Sequence, residues 1–203
     1  MPRQYDMSKR ALAREETRRR IVEATAKLHA ERGVLGTSWQ DIAKEADVSV
    51  ATVYAHFPSL DELLPACGAH VMERIRPPRR ESSSAVIGDA QDLRERFERI
   101  ALELFAFYER GGPHIEVDVR ERQLPGMREF ETYLLELVTA RVRAATAPQR
   151  PSAQTVRLVS AFFDLSTFKS LRERGIAPRA AAKAVAGVAT RLLEDTTTPK
   201  GER

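Results

Sequence analysis

His114-Ile115-Glu116-Val117-Asp118-Val119, in a chain of 203 residues, alternates strictly between polar and apolar residues, the pattern of a half-buried strand. Nothing else in the sequence offers it a partner, and a lone strand leaves its backbone N–H and C=O groups unpaired. The segment is therefore predicted to be a short helix, and the whole chain to be all-α, with about nine helices. On a helix, side chains two positions apart do not share a face, so His114, Glu116 and Asp118 are not read as a metal cluster.

Stop and start signals divide the helical pattern. Ile21, Ala24, Thr25 and Leu28 recur at helical spacing from about Arg14 to Arg32, and Gly33 ends that run. Thr37 or Ser38 can cap a short second helix, with Gln40 and Asp41 at the capping-box position and Ile42, Ala43 and Ala46 turned inward. Asp47-Val48-Ser49 breaks it; Ser49 can cap a third helix from Val50 to about Phe57, which Pro58 stops. Ser59 with Glu62 forms a further capping-box signature for a fourth helix, kinked or delayed by Pro65 and ended by Pro77-Pro78. Residues 77–88 read as a polar linker. Later stripes run through Leu93, Phe97, Ile100, Leu104 and Phe107, then through Met127, Phe130, Leu134, Leu137 and Arg141. Residues 152–174 are apolar on nearly all sides, the mark of a helix buried on more than one face, and an Ala-rich helix follows Pro178.

Charge is concentrated at one end. Residues 1–20 carry seven basic residues (Arg3, Lys9, Arg10, Arg14, Arg18, Arg19, Arg20) against three acidic ones (Asp6, Glu15, Glu16), an excess equal to the net +4 of the whole chain. A basic end on a neutral body attracts a polyanion at one pole, although a solvated tail has the same composition. No apolar run has the length of a membrane span and no signal-peptide pattern is present. The single cysteine, Cys67, excludes an intrachain disulfide and a Cys-rich zinc site. These features are those expected of a cytoplasmic protein without a cofactor. There is no Glu-x-x-His pair, phosphate loop or serine elbow, so an enzyme built on a helical bundle is disfavoured. A helical adaptor that binds only protein is disfavoured by the basic segment beside two short, tightly joined helices, the layout of a helix-turn-helix.

Those two helices carry a resemblance. The stretch GTSWQDIAKEADVSVATVYAHFPSLDELL, from Gly36 to Leu64, resembles the DNA-binding signature of the tetracycline-repressor (TetR) family, and RRRIVEATAKLHAERG before it resembles that family's first helix. SAFFDLSTFKSLRERGI is similar in style to the penultimate helix of many members. The chain departs from the pattern at Asp47, where glycine is usual, at Leu60, where a phosphate-binding lysine is common, and at Val50 and Ala55. Asp tolerates the left-handed conformation that the turn needs. A third helix without Lys or Arg leaves little scope for bidentate guanine readout, so affinity should lean on the basic arm and on backbone contacts.

The resemblance implies a dimeric, sequence-specific regulator of transcription, a repressor released from a double-stranded DNA operator by a small-molecule effector. It implies a flexible basic arm at 1–13, a helix-turn-helix domain at 14–58, a regulatory and dimerising body at 59–195 with the fourth helix as connector, and a tail at 196–203. Near base edges it places Gln40, Val50, Ala51 and Thr52, where Gln40 can pair with adenine and the methyl groups can meet thymine methyls. On phosphate it places Thr37, Ser38, Ser49, Tyr54 and His56, with nonspecific attraction from Arg14, Arg18 and Arg19. Thr37, Ser38 and Ser49 can equally act as caps alone, and Trp39 is left open between packing on the first helix and touching DNA. Candidate effector-pocket residues are Met72, Phe97, Phe107, Tyr108, Met127, Tyr133, Phe163 and Asp164. Dimerisation is expected through residues 152–174 and 178–194, where Ala181, Ala184, Gly187 and Ala189 permit close approach.

Overall fold

The computed structural model describes residues 3–197. Among the described residues every regular element is helical and there is no strand, as expected. The alternating segment forms two 3-10 turns, Gly112–Ile115 and Val119–Glu121, on either side of non-helical residues 116–118. The chain divides into two compact units. One comprises the residues up to Arg76 together with Pro113–Arg128; the other comprises Pro77–Gly112 and the residues from Glu129 onward.

The first unit is built on α1 (Arg3–Arg32), α2 (Trp39–Glu45), α3 (Val50–His56) and α4 (Leu60–Ile75). Ile21, Val22, Ala24 and Leu28 of α1 close on Ile42, Ala43 and Ala46, on Val53 and Phe57, and on Leu63 of α4. α1 begins at Arg3, well before the Arg14 start read from apolar spacing, so the expected flexible arm is helical from Arg3 to Ala13. The segment lacks glycine and is rich in good helix formers, which hold a helix without an apolar stripe. Its residues 9–16 are exposed. The first two residues of that arm, and the expected tail beyond Thr197, lie outside the described residues; 196–197 are the last residues of α10 (Pro178–Thr197). α4 accommodates Pro65 within its length, and its expected capping box is not formed: Ser59 makes no side-chain cap bond, while its carbonyl accepts from the N–H groups of Glu62 and Leu63.

The second unit holds α5 (Ser83–Ile87), α6 (Leu93–Gly111), most of α7 (Pro125–Ala145), α8 (Ala153–Ser160), α9 (Leu165–Glu173) and α10. α10 lies along α6, with Ala181, Ala182, Ala186 and Ala189 fully buried. The single helix expected over 152–174 is instead two. A 3-10 turn at Ala161–Phe163 and extended backbone at Asp164 separate α8 from α9. The apolar residues that seemed to cover every side of one helix are thus distributed over two, each with its own buried face.

Residues 77–88, expected to be a polar linker, carry helical elements of their own. They form a 3-10 turn at Arg80–Ser82 and then α5. The anchor is Arg141 on α7, whose side chain is fully buried. Its Nε and Nη2 donate to Glu103 on α6 at 2.7 and 2.9 Å, and its remaining donors reach the Ser83 hydroxyl, the Ser82 hydroxyl and the Arg79 carbonyl at 2.7, 2.9 and 2.9 Å. A buried guanidinium needs this much pairing to offset its desolvation. Arg141 had been assigned only a place in an apolar stripe.

Candidate nucleic-acid interface

Local chemistry sets the ends of α2 and α3. Ser38 caps α2 in a complete capping box: its hydroxyl accepts from the Asp41 N–H at 3.1 Å, and its own N–H donates to Asp41 Oδ2 at 3.2 Å. The Ser38 hydroxyl proton goes to the same carboxylate at 2.6 Å, which helps hold the Asp41 carboxyl below its ordinary range. Thr37 plays a different part, donating from Oγ1 to the Gly33 carbonyl at 2.8 Å and so closing the end of α1. Between α2 and α3 the chain turns at Asp47, which takes the left-handed conformation with φ of 53°, while the Val48 N–H donates back to the Ala43 carbonyl at 3.0 Å. Ser49 then caps α3, accepting from the Thr52 N–H at 3.1 Å with its hydroxyl 2.8 Å from that of Thr52.

This geometry leaves one surface of the pair open. Gln40, Ser49, Ala51 and Tyr54 are exposed, and Val50, Thr52 and His56 are half-buried, while Val53 and Phe57 turn into the core. Tyr54 retains 45% of its surface and stacks on Trp39 of α2 with ring centroids 4.8 Å apart. Trp39 also packs against the core of the unit, so it buttresses α3 from α2. The hydroxyls of Thr37, Ser38 and Ser49 all act in capping; the Thr37 proton goes to the Gly33 carbonyl and the Ser38 proton to Asp41, so each must leave that partner before it can meet a phosphate.

Basic groups border this surface. The Arg18 guanidinium lies 4.8 Å from the centre of the Phe57 ring at the end of α3, a cation–π contact. Burial, then the positive charges of Arg14 and Arg18, push His56 below the ordinary histidine range, with Glu15 acting weakly in the opposite sense. The shift favours the neutral ring of His56 at neutral pH. Arg19 is engaged elsewhere, pairing with Glu16 and Glu23 along α1. The Trp39–Tyr54 stack and the Arg18–Phe57 contact were missed from sequence: each joins residues on different helices, where no fixed spacing marks them.

The candidate effector residues are distributed over both units. Met72 and Met127 belong to the first, where both are half-buried. In the second, Phe97, Phe107, Tyr108 and Phe163 are buried as one aromatic group: Phe97 stands 5.4 Å from Phe163, Phe107 stands 5.6 Å from Tyr108, and the Tyr108 hydroxyl donates to the Phe163 carbonyl at 3.0 Å. Burial, reinforced by the nearby Asp164 carboxylate, raises the Tyr108 phenol, and burial raises Asp164 as well. Tyr133 is half-buried and its hydroxyl donates to the Pro78 carbonyl at 2.6 Å. Among the described residues no group of three or more His, Cys, Asp or Glu side chains is placed to hold a metal, and no helix is long and apolar enough to cross a membrane.

Residues 21–67 match the family model described as bacterial regulatory proteins, tetR family. The HTH-type transcriptional regulator PksA of Bacillus subtilis (strain 168) is 39% identical over 75 residues, which is 37% of this chain and 33% of the relative. The HTH-type transcriptional repressor KstR of Rhodococcus jostii (strain RHA1) is 40% identical over 63 residues, covering 31% of this chain and 30% of the relative. The match thus spans about a third of the length of these curated relatives. A solved structure, that of the multidrug binding protein EbrR complexed with imidazole, superposes with a TM-score of 0.58 at 24% identity over 86% of this chain and 93% of that one.

Proposed function

We propose, from the premise that this chain belongs to the tetR family of bacterial regulatory proteins, that it is a cytoplasmic, sequence-specific DNA-binding regulator that represses transcription until a small molecule releases it. The observation that carries this is the Ser49-capped α3, which keeps Ala51, Tyr54 and its half-buried neighbours Val50 and Thr52 open while Val53 and Phe57 anchor it. A helix held in that way enters a major groove with its first turn foremost. Val50, Ala51 and Thr52 meet thymine methyls, Gln40 reads an adenine edge, and Tyr54, Ser49, Thr37, Ser38 and His56 meet phosphates. The working division is a reading head to residue 58 and a body from 59 to 195, with α4 as connector.

Two copies are needed to read two half-sites. In support of a dimer, Leu158 of α8 and Val188 of α10 are 49% and 51% exposed, and Ala184 beside Val188 is open. Ala181 and Ala189 are already buried within the protomer, so the proposed contact narrows to the Ala184–Val188 side of α10 together with α8. The effector is a compact, largely apolar molecule, in keeping with the aromatic group around Tyr108 and with the fold shared with the multidrug binding protein EbrR. A ligand that prefers one of two head spacings shifts the population and weakens DNA binding.

Fluorescence anisotropy with labelled duplexes tests the reading directly. Duplex from the region flanking the chain's own gene should bind more tightly than random duplex of equal length, with affinity falling as salt rises. Equal affinity for both duplexes would remove sequence-specific regulation.

A further inference from the structure

We propose that the N-terminal extension of α1 is a second, rigid DNA contact, in which Arg10, Arg14 and Arg18 form a ridge that carries the interface from the end of α3 onto phosphates flanking the base-read segment. The inference rests on the DNA-binding reading above and extends it to a surface outside the helix-turn-helix.

The ridge follows from helical geometry. Side chains four positions apart lie on one face, so Arg10, Arg14 and Arg18 line up over ~12 Å of helix at 1.5 Å per residue. Its inner end is fixed by the Arg18 guanidinium above the Phe57 ring, 4.8 Å from its centre. Phe57 terminates α3, so this end of the ridge adjoins the proposed interface. Arg14 and Arg10 are exposed, and the packed part of α1 begins only at Ile21. The lowered affinity of His56 for protons, caused partly by Arg14 and Arg18, agrees with both charges facing the end of α3. Arg19 lies on a different face and is paired with Glu16 and Glu23, so it takes no part in the ridge. Because α3 has no Lys or Arg, the ridge supplies the charge that its phosphate partners would otherwise lack.

A DNA backbone fits this ridge better than an anionic membrane. A helix lying in a lipid interface needs an apolar face opposite its basic one. Among residues 9–16, Leu12, 71% exposed, is the only large apolar side chain.

The test uses the full chain carrying Arg10→Ala with Arg14→Ala, which leaves Arg18 on Phe57, beside a second variant with lysine at both positions. Loss of two phosphate contacts should reduce the log–log salt slope by about 1.8. Affinity should fall by about tenfold at low salt, the preference for own-flank over random duplex should stay within about threefold, and the lysine pair should restore the slope. Trimming the duplex ends should cost the wild type its advantage over the alanine pair. An unchanged slope and affinity in the alanine pair overturns the proposal, as does a loss the lysine pair does not restore. A loss of binding to vesicles containing phosphatidylglycerol, with DNA binding intact, overturns it in favour of a membrane contact. If the wild type shows no preference for own-flank duplex, the regulator reading fails, while the slopes on random duplex still decide the ridge.

Discussion

Glu121, 5% exposed, accepts the backbone N–H of Leu35 on its Oε1 at 3.0 Å, across 86 residues of sequence. The contact lies inside the first unit and fastens segment 113–128 to the turn between α1 and α2. Gly33 makes the approach possible: its φ is +76°, and a β-carbon there would stand 2.5 Å from Glu121 Oε1. Ser38, the cap of α2, follows this turn, so the carboxylate helps fix where the reading helices start.

Glu121→Ala should cost about 1.5–3 kcal/mol, the size of a hydrogen bond to a charged group. Glu121→Gln, which keeps a carbonyl acceptor, should cost less. Hydrogen exchange should show the Leu35 amide losing protection in the alanine variant and keeping most of it in the glutamine one. Gly33→Ala should also destabilise, through its positive φ and through the clash, and the clash should vanish when both residues are alanine. Urea unfolding of the double variant should thus show a loss smaller than the sum of the single losses.

Arg141→Met should destabilise the second unit more severely. It strands the Glu103 carboxylate, whose side chain is 26% exposed, and removes a donor from the Ser82 and Ser83 hydroxyls and from the Arg79 carbonyl, which keeps the Ser82 hydroxyl. Breaking a buried ion pair from one side costs about 3–5 kcal/mol. Adding Glu103→Leu should recover part of that, since the orphaned charge is then gone. Recovery of nothing in urea melts would show that the neutral hydrogen bonds to 79–83, rather than the pair, carry the stability.

These two residues also show where sequence reading stops. The caps at Ser38 and Ser49 and the left-handed turn at Asp47 are written in residues next to the elements they bound, so α2 and α3 were legible along with the surface they leave open. Glu121 and Arg141 act on partners far along the chain, and no spacing announces such a bond. Asp164 likewise breaks α8 from α9 without glycine or proline. The opposite error arose at residues 3–13, where helical propensity sufficed and the search for an apolar stripe concealed it.

Acid should weaken the first unit before its carboxylates titrate. Burial lowers His29 from 6.5 to about 4. Its folded value lies below its unfolded one, so its contribution is fully present above pH 6.5 and is lost as pH falls toward 4. The slope reaches ~1.4 kcal/mol per pH unit and the total about 3 kcal/mol. His56 and His114 shift in the same direction and add to it. His29→Gln should flatten, without abolishing, the fall in urea stability across this window.

Cys67 should be chemically silent in the folded protein. Its thiol is 5% exposed, and burial pushes it up to about 11. The thiolate is the reactive form, so at pH 8 a thiol-labelling reagent should modify Cys67 only at the rate at which the first unit opens. Labelling in native buffer should be slow and should accelerate with urea in step with unfolding. Fast native labelling would contradict the packing of α4 against α1.

Tyr54 separates DNA binding from stability. Its ring stacks on Trp39 at 4.8 Å and its hydroxyl extends from a side chain 45% exposed. Tyr54→Phe keeps the stack and removes only the hydroxyl. Thermal stability should then stay within about 0.5 kcal/mol of wild type, as for surface changes generally. Affinity should fall by roughly 1–3 kcal/mol, about the size of one hydrogen bond to a charged group, and alike for own-flank and random duplex. Trp39→Ala should do both, loosening α3 and weakening binding. Trp39 is the only tryptophan, so tryptophan fluorescence in the wild type reports on this one side chain, between Tyr54 and the core. Quenching or a spectral shift on adding the duplex, absent with Tyr54→Ala, is expected if the stacked pair lies at the DNA surface. An unaltered spectrum together with full affinity in Tyr54→Phe would place the contact elsewhere on α3.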